Sequence, residues 1–476
     1  MPDVLLGADL GTSGLKLVAL DPDGGVLAQA ERAYAYDRPA PGRAEIDVAT
    51  WRSALDDTLA EIAPHLAGAR VRALGLSGQM HGAVLVDGAG VAVGPALLWP
   101  DRRAVGELSR WRALAPDDRA VLANPLVPGM TGPLLAWLAR HDPATVAGAA
   151  TVLLPKDALR ATLLPGADPA VTDRSDASAT LLWDVVADGW SRAACRAAGI
   201  RRELLPAVRP SAEVAGVARL PLGEVPVVVG GADTPLALLA SGATSGAQVN
   251  LGTGAQLLRP GHRPRAGTDP VVHTYADTTG GWYAMAALQN GGSAWEWVCD
   301  VLGLSWAEFV AAAAGVPAGA GGVVFRPFLS GERGGVAGPE DRGSWTGLHA
   351  GTTRAHLARA ALEGVAFAVR AAFDLVDVPD DDPVLLTGGA ARSGVVVQLL
   401  ADVLGRAVRP LGLRSASAVG AAVLAGRGVD VAVAPRREDG ALLEPRPDDG
   451  LAAARHRWSA GLLRPGGTGP VPGPLA

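Results

Sequence analysis

The sequence predicts an α/β protein made of two large domains. Its 476 residues are too many for one hydrophobic core of ordinary size, and 49% of them are hydrophobic, which is enough to fill two cores. Apolar stretches typical of buried strands alternate along the chain with segments whose apolar residues recur at helical spacing. A short glycine-rich hairpin near the start also recurs about half a chain later, which indicates two related halves.

The N-terminal half begins with this hairpin and continues as strands and helices. The predicted strands of this half are residues 4–9, 15–20, 26–30, 71–76 and 226–230. Apolar residues at helical spacing predict a helix after the third strand, with Thr50 as its N-cap. Pro235 suits the first turn of another helix, which we expect to begin there and to run through Leu239.

The C-terminal half repeats the hairpin and then becomes mostly helical. Its predicted elements are strands at 248–251 and 256–259 around a glycine turn, a helix over 354–376 and a strand at 384–386. We therefore expect an N-terminal domain over 1–243, a C-terminal domain over 244–435, a helical segment over 436–464 and a disordered tail over 465–476.

Composition excludes several classes of function. The net charge of −6 and the isoelectric point near 5.8 argue against a nucleic-acid or anionic-membrane partner, since either favours a basic face. The two cysteines, Cys195 and Cys299, are too few for a disulfide framework or a zinc site. The first residues lack the pattern of a signal peptide, so we expect a cytoplasmic protein.

The first hairpin is a candidate phosphate site. Its glycines allow backbone N–H groups to approach phosphate oxygens, and Thr12 and Ser13 add hydroxyl donors. Lys16 adds a positive charge, and Asp9 at the end of the strand could hold Mg²⁺ through water. An ordinary hairpin with a polar turn would look the same, but the second hairpin, with Gly252 and Thr253, favours the phosphate site.

Lysine is rare in this chain. Only two of the 42 basic residues are lysines, Lys16 and Lys156. A nucleotide-composition bias that replaces lysine by arginine explains the general pattern, whereas a need for a compact ammonium would explain the exceptions. We favour the second explanation for Lys16, and both stay open for Lys156.

Seven short motifs follow one another in a recognisable order. They are Asp9-Leu-Gly-Thr-Ser-Gly, Gly78-Gln-Met-His-Gly, Leu153-Leu-Pro-Lys-Asp, Gly230-Gly-Ala-Asp, Leu251-Gly-Thr, Leu329-Ser-Gly-Glu-Arg and Gly388-Gly-Ala-Ala-Arg-Ser. With them the chain resembles the FGGY family of carbohydrate kinases, and the second motif is most similar to the xylulokinase branch. The resemblance runs over nearly the whole chain. It implies two ribonuclease H-like domains, of the type found in actin, hexokinase and chaperone ATPases, that flank a cleft.

The resemblance also implies an activity. It is the ATP-dependent phosphorylation of a ketopentose, with D-xylulose converted to D-xylulose 5-phosphate and with ATP and Mg²⁺ as cofactors. Asp233 matches the catalytic base of the family, and Asp9 matches the aspartate that holds Mg²⁺ through water. This agrees with the chemistry, because a sugar hydroxyl is a poor nucleophile until a carboxylate accepts its proton. Asp233 could instead serve only as the N-cap of the helix at Pro235.

The binding residues are carried over in the same way. Those expected at the ATP phosphates and the adenosine are Gly11, Thr12, Ser13, Lys16, Gly252, Thr253, Gly388, Gly389, Ala390 and Ser393. Those expected at the sugar are Met80, His81, Thr234 and Asp101. The methionine would pack on the C–H face of the sugar and the histidine would bind a hydroxyl.

The sequence departs from the family pattern in four places, and two of these departures bear on which sugar is the substrate. Thr234 and Pro100 replace residues that are usually asparagine, Leu134 replaces a lysine, and residues 334–335 replace Thr-Pro. Because the first two lie near the expected sugar site, a kinase for another pentulose or a pentitol is an alternative. An actin-like or chaperone-like ATPase acting on protein partners is an alternative of another class, and a sugar-sensing pseudokinase is a third. The expected partners are the sugar and ATP, with a homodimer left open.

Overall fold

The structure is a computed structural model that describes residues 1–379 and 382–462. The strands are β1 (Asp3–Leu10), β2 (Gly14–Leu20), β3 (Val26–Ala33), β4 (Glu45–Ile46), β5 (Arg70–Gly78), β6 (Val84–Val86), β7 (Ala96–Leu97), β8 (Thr151–Leu153), β9 (Val171–Asp173), β10 (Trp183–Asp184), β11 (Gly189–Trp190), β12 (Ala207–Arg209), β13 (Val214–Leu220), β14 (Gly223–Val228), β15 (Gly231–Ala232), β16 (Ala247–Leu251), β17 (Ala255–Pro260), β18 (His273–Ala276), β19 (Trp282–Leu288), β20 (Val324–Arg326), β21 (Ser344–Thr346), β22 (Val384–Thr387), β23 (Val408–Gly412) and β24 (Glu438–Asp439).

Helices connect and cover these strands. They are α1 (Val48–Ile62), α2 (Leu108–Arg112), α3 (Pro116–Ala120), α4 (Thr131–His141), α5 (Pro143–Gly148), α6 (Pro155–Leu163), α7 (Arg174–Ala177), α8 (Arg192–Ala198), α9 (Asp233–Ser241), α10 (Gly292–Leu302), α11 (Trp306–Ala314), α12 (Arg354–Leu375), α13 (Gly394–Leu404), α14 (Ala416–Gly428) and α15 (Asp449–Ala460). Short 3₁₀ turns separate some of them.

A seven-stranded sheet organises the first compact unit, which comprises residues 1–244, 261–283 and 413–437. The sheet runs in the order β13-β14-β5-β1-β2-β3, and β15 extends the pairing on β5. Strands β1, β5 and β14 are parallel to one another, whereas β2 pairs antiparallel with β1 and β3. The strands predicted for this half are therefore confirmed.

Helices cover both faces of this sheet. Because successive side chains of a strand point to opposite faces, Leu6 packs with Trp51 of α1, whereas Leu5 packs with Ala421 of α14. Helix α14 approaches so closely that a Cβ at Gly7 would lie 1.9 Å from a carbonyl oxygen of that helix. Only glycine fits there, so this residue sets the depth at which α14 packs.

Two predicted helix starts are wrong. Helix α1 begins three residues earlier than expected, and its N-cap is Asp47, whose carboxylate accepts the Ala49 N–H at 2.8 Å, rather than Thr50. The short aspartate side chain satisfies the first free N–H groups, so the helix extends upstream. Helix α9 begins at Asp233 rather than at Pro235. The aspartate is thus the first helical residue, and Ala232 occupies the cap.

The second unit has a sheet of related design. Within the described part of the chain it comprises residues 245–260, 284–412 and 438–462, and its strands follow the order β19-β17-β16-β22-β23-β24. An antiparallel hairpin, β16 and β17, again sits beside a parallel neighbour, β22, which pairs with a further parallel strand, β23. This arrangement repeats that of β2, β1 and β5, so the repeat inferred from the two hairpins is confirmed. The predicted helix over 354–376 corresponds to α12.

The compact units are interleaved in sequence, whereas the predicted domains are continuous segments. Helix α14 belongs to the first unit although it follows most of the second. The limits 1–243 and 244–435 stay predictions about domains as sequence segments. Of the predicted segment 436–464, the described residues contain β24 and α15, and the predicted tail over 465–476 lies outside the described residues. Among the described residues no single helix has the length and apolarity to cross a membrane, although the sharply bent pair α10 and α11 meets both criteria when taken together.

A fully buried cluster of charges lies below the carboxyl end of the first sheet. The Lys156 ammonium is 2.6 Å from Asp157, 3.1 Å from Asp173 and 3.0 Å from Asp176, and Arg160 lies 2.6 Å from Asp157. Burial alone would lower the pKa of Lys156, but the three carboxylates hold it above its usual value. Burial and the neighbouring carboxylates raise the pKa of Asp176 to about 8.

The Lys156 stem also fills the space between two strand ends. A Cβ at Gly78 would lie 2.8 Å from its Cβ, and a Cβ at Gly230 would lie 3.3 Å from its Cδ. A compact ammonium on a slender stem fits this space, which favours the specific explanation for the lysine at this position.

We expect Lys156→Met to destabilise the protein by about 3–5 kcal/mol, because buried carboxylates then lose their cation. The matched control is Lys16→Met, which removes a half-exposed pair with Glu31 at 3.6 Å and should cost about 0–1 kcal/mol. Urea unfolding of both variants measures the difference. Equal free energies of unfolding for the two variants would show that the buried cluster contributes nothing specific.

Candidate active site

Three loops meet at one edge of the first sheet. Strands β1, β5 and β15 are parallel, so the segments that follow their carboxyl ends lie side by side. The segment after β1 is residues 11–14, which we call the first glycine hairpin. The segment after β5 is residues 79–82, the Met–His loop, and β15 leads directly into Asp233. The structure therefore brings the predicted phosphate turn, sugar residues and base together in this unit.

Asp233 has the properties expected of a base at neutral pH. Burial raises its pKa to about 7, and the nearby Asp9 carboxylate adds to the effect, outweighing the hydrogen bonds from Thr234. One carboxylate oxygen, Oδ1, accepts the Thr234 N–H at 2.6 Å and its hydroxyl at 3.2 Å. Asp233 as a whole residue is partly exposed. A group with this pKa is charged about half of the time near pH 7.

Asp9 faces the same site. Its Oδ1 accepts a hydrogen bond from the Ser77 hydroxyl at 2.7 Å. Burial raises the pKa of Asp9 although this bond and the Lys16 charge both lower it. The charged forms of both carboxylates are thus disfavoured at this site. A bound cation would stabilise them.

The first glycine hairpin offers backbone donors. Gly11 N–H closes the turn on the Gly14 carbonyl at 3.0 Å, and the Ser13 carbonyl accepts from Tyr34 N–H at 3.0 Å. Within the described chain, the N–H groups of Thr12 and Ser13 donate to no protein acceptor. The Thr12 hydroxyl is engaged instead with Gln79 and Trp99. An anion at this turn would thus meet backbone N–H groups more readily than the threonine hydroxyl.

The Met–His loop is held from both sides. The Tyr283 hydroxyl donates to the Met80 sulfur at 3.8 Å, and Met80 is 7% exposed. His81 adopts a φ of +68°, which is unusual for a residue with a side chain. Its Nδ1 lies 2.6 Å from the Ala179 carbonyl, so Nδ1 carries the proton in that bond. The His81 ring also meets the Tyr275 ring edge-on at 6.0 Å between centroids.

The remaining predicted residues of this unit have partners within the protein. Thr234 lies directly beside Asp233, as expected for a residue that influences the base. Asp101 is fully buried and accepts from Ala44 N–H and from Arg103, so its contact with sugar stays a prediction. Lys16 pairs with Glu31 at 3.6 Å, and both side chains remain solvent-exposed.

The second unit forms a comparable edge by itself. Strands β16 and β22 are parallel, so Gly252-Thr253 and the segment from Gly388 meet at their carboxyl ends. Gly252 N–H closes its turn on the Gly254 carbonyl at 3.0 Å, as in the first hairpin. Gly388, with φ of +88°, packs against Leu251 so closely that a Cβ would lie 2.5 Å from its carbonyl oxygen.

The rest of that segment leads into helix α13. Gly389 and Ala390 form a 3₁₀ turn, and the Ser393 hydroxyl caps the helix by accepting from Val396 N–H. The predicted nucleotide residues of this unit therefore gather at one edge of its sheet.

Comparisons with known proteins place these features in a family. The N-terminal domain of the FGGY family of carbohydrate kinases matches residues 4–240, and the C-terminal domain of that family matches residues 247–429. The chain belongs to the FGGY family of carbohydrate kinases.

Individual relatives share most of their length with it. A xylulose kinase of Escherichia coli (strain K12) is 33% identical over 455 residues, which is 93% of each chain. A glycerol kinase of Gloeobacter violaceus is also 33% identical, over 89% of this chain and 88% of its own. The crystal structure of a xyloylose kinase from Brucella ovis has a TM-score of 0.86 at 30% identity and covers 96% of this chain and 97% of that one. The predicted two-domain fold is thereby confirmed, and the actin-like or chaperone-like alternative is not favoured.

Several residues at this FGGY site escaped the sequence analysis. Tyr275 and Tyr283 lie far along the chain from the Met–His loop that they contact, and Asp173 and Asp176 reach Lys156 from a separate segment. In the sequence, the rarity of lysine and the motif from Leu153 to Asp157 pointed to Lys156, but neither indicated the partners Asp173 and Asp176.

The residues present fit a Mg²⁺ ion bound mainly by nucleotide and water. In residues 1–379 and 382–462 no group of three or more His, Cys, Asp or Glu side chains is arranged to hold a metal. A cage made by protein alone is therefore absent from the described chain. One or two carboxylates such as Asp9 and Asp233 are the usual protein share of a Mg²⁺ site that the phosphates complete.

We expect kcat/KM for the sugar to rise with pH and to level off above about 7, because the free enzyme needs Asp233 without its proton. Below that value the parameter should fall about tenfold for each pH unit. Initial rates across the range measure it, and Asp233→Asn serves as the control, since its profile retains only the ionisation of ATP. A wild-type profile that stays flat through neutrality contradicts the assignment of the base.

Proposed function

We propose that this FGGY kinase phosphorylates D-xylulose to D-xylulose 5-phosphate with ATP as the donor. The observation that carries the proposal is the meeting of Asp233, Asp9 and the Met–His loop at one sheet edge. Relatives that carry the name xylulose kinase, at up to 33% identity, support the choice of sugar.

The chemistry assigned to Asp233 is that of a general base. The terminal hydroxyl oxygen of the sugar attacks the γ-phosphorus, its proton passes to Asp233, and ADP leaves with the electron pair of the broken bond. Both hydrogen bonds from Thr234 fall on Oδ1, so we assign the sugar proton to Oδ2, which accepts no hydrogen bond from another residue of the described chain. Met80 and His81 would orient the sugar, with Tyr283 holding Met80 in place.

The nucleotide is assigned to backbone groups. The N–H groups of Thr12 and Ser13, which have no acceptor within the described chain, suit phosphate oxygens, and the partly exposed Lys16 would add a positive charge. In the second unit Gly252, Thr253 and the segment from Gly388 to Ser393 offer further contacts for ATP. Asp9 would hold Mg²⁺ through water, and the ion, when bound, neutralises charge that develops on the phosphates.

The choice of sugar is the part that most needs a test. Thr234 provides one hydroxyl where an asparagine would provide a two-sided amide, and a glycerol kinase has the same 33% identity to this chain as a xylulose kinase, over a somewhat smaller share of it. We also keep two other predictions within this proposal. One is a cytoplasmic location, with which the buried free thiols of Cys195 and Cys299 agree, and the other is a homodimer, which sedimentation of the purified protein would decide.

A substrate panel tests the function directly. ADP formation is measured with D-xylulose, D-ribulose, L-xylulose, xylitol, ribitol and glycerol. We expect kcat/KM to be highest for D-xylulose by at least about tenfold, the discrimination that one or two well-placed hydrogen bonds provide. Preference for glycerol or a pentitol would replace the substrate while keeping the family. Absence of turnover with every compound would overturn the kinase proposal.

We expect Asp233→Asn to lower kcat by about 10²–10⁴-fold while the sugar affinity changes far less, since the amide keeps the shape but cannot accept the proton. The matched control is Asp47→Asn, an exposed helix cap that asparagine also fulfils. Steady-state kinetics and calorimetric titration of both variants separate the two effects. Near-normal turnover of Asp233→Asn at saturating substrates would remove this residue from catalysis.

A further inference from the structure

Gln79 joins the two loops that carry the proposed sugar and phosphate contacts in the first unit. It follows β5 directly, precedes Met80 and His81, and is only 3% exposed. A buried glutamine has an amide that must be satisfied inside the protein. The hydrogen-bond partners of Gln79 therefore show which segment holds the Met–His loop in place.

All of those partners belong to the first glycine hairpin and the strand end before it. The Gln79 backbone N–H donates to the Leu10 carbonyl at 2.9 Å. Its side-chain Nε2 donates to the Gly11 carbonyl at 3.2 Å, and its Oε1 accepts from the Thr12 hydroxyl at 3.2 Å. One residue thus contacts the last residue of β1 and the first two residues of the glycine hairpin, through its backbone N–H and both polar atoms of its side chain.

These bonds determine where the turn directs its donors. The Gly11 carbonyl accepts from Gln79 and also from the Tyr34 hydroxyl at 2.7 Å. In a trans peptide the carbonyl and the following N–H point in opposite directions. Holding the Gly11 carbonyl toward Gln79 and Tyr34 therefore directs the Thr12 N–H away from them, to the side where an anion can bind.

A second contact fixes the Thr12 side chain. Its hydroxyl donates to Gln79 Oε1 and accepts from Trp99 Nε1 at 2.8 Å. A hydroxyl has one proton, so Gln79 receives it and the Thr12 side chain cannot also donate to phosphate without breaking this bond. Trp99 is 38% exposed, which places the far end of this chain of hydrogen bonds at the surface of the site.

We propose that Gln79 is a positioning residue that couples the Met–His loop to the first glycine hairpin, so that sugar binding at one adjusts the phosphate donors of the other. The inference rests on the proposed function. It predicts a coupling between sugar and nucleotide that passes through the hydrogen bonds of one buried amide within the first unit. A bound sugar that shifts Met80 and His81 would also shift the adjacent Gln79. Through its hydrogen bonds Gln79 would then move the Gly11 carbonyl and the Thr12 N–H.

The test uses Gln79→Met, which keeps the length of the side chain and removes its hydrogen bonds. We expect kcat/KM for D-xylulose to fall about 10- to 100-fold, the scale of a small misplacement of reacting groups. We also expect the coupling ratio to fall toward one. This ratio is the Kd of a non-hydrolysable ATP analogue without D-xylulose divided by its Kd with D-xylulose, measured by calorimetry.

Two further variants separate positioning from stability. Gln248→Met replaces another glutamine that is 3% exposed, on β16 in the second unit, whose amide oxygen has no hydrogen-bond partner within the described residues, and should leave kinetics and coupling unchanged without lowering the melting temperature. Thr12→Val removes the hydroxyl that Gln79 accepts. Because the two residues share that bond, the double variant Thr12→Val with Gln79→Met should lose less than the product of the two single losses.

The outcomes are distinct. A wild-type protein that phosphorylates no sugar of the panel refutes the proposed function and this inference with it. A wild-type sugar kinase refutes the inference alone in three cases: if it shows no coupling, if Gln79→Met keeps wild-type kinetics and coupling, or if Gln248→Met loses them to the same extent.

Discussion

Parallel pairing of β1, β5 and β15 is the constraint on which the candidate site of the first unit depends. Parallel neighbours must send their carboxyl ends to the same edge, so three segments separated by long stretches of sequence arrive together. The same rule operates in the second unit with β16 and β22. Each sheet pairs this edge with an antiparallel hairpin whose turn carries glycine, and that turn is where backbone donors can approach an anion.

Charge compensation follows from this geometry. Bringing strand ends together also brings Asp9 and Asp233 together, and burial, with the nearby Asp9 charge adding to it, raises the pKa of Asp233 to about 7. Below them, Lys156 and Arg160 compensate the buried carboxylates of Asp157, Asp173 and Asp176. In the described chain neither Asp9 nor Asp233 forms an ion pair, although the Lys16 charge lowers the pKa of Asp9, so this pair stays responsive to protons and to ions that accompany a nucleotide. The lower cluster contains its own cations, although neither carboxylate oxygen of Asp176 has a hydrogen-bond partner in the described chain.

What the sequence could predict was the local part of this arrangement. The strand ending in Asp9 and the hairpin after it are marked by apolar stretches and glycines within a few residues, and the family motifs located Asp233 and the Met–His loop. The predicted start of α1 was wrong. Asp47 and Thr50 are both good N-cap residues, and only the packing of the helix decides between them. The partners of Lys156 and Gln79 could not be predicted, since their contacts depend on which strand ends become neighbours.

Helix α14 shows the same limit at the scale of domains. Its sequence, rich in alanine and glycine, is compatible with packing on many surfaces, and it follows the second unit along the chain. Its place in the first unit depends on Gly7 and Gly75, where a Cβ would lie 1.9 Å from carbonyl oxygens of the helix. Nothing near either glycine in sequence indicates these partners, Ala418 for Gly7 and Ala421 for Gly75, which lie several hundred residues away. Such complementarity becomes visible only when both surfaces are seen together.

Thr234 links the architecture to substrate choice. Its N–H and its hydroxyl both fall on the same oxygen of Asp233, so this residue supports the base instead of reaching outward. An asparagine at this position would offer an amide with donors and an acceptor, able to hold the base and a sugar hydroxyl together. With threonine at this position, we propose that the sugar is recognised by the Met–His loop, which Tyr275 and Tyr283 contact. On our proposal, the specificity of this enzyme depends on how firmly that loop is held, and the buried amide of Gln79 is one of the groups that hold it.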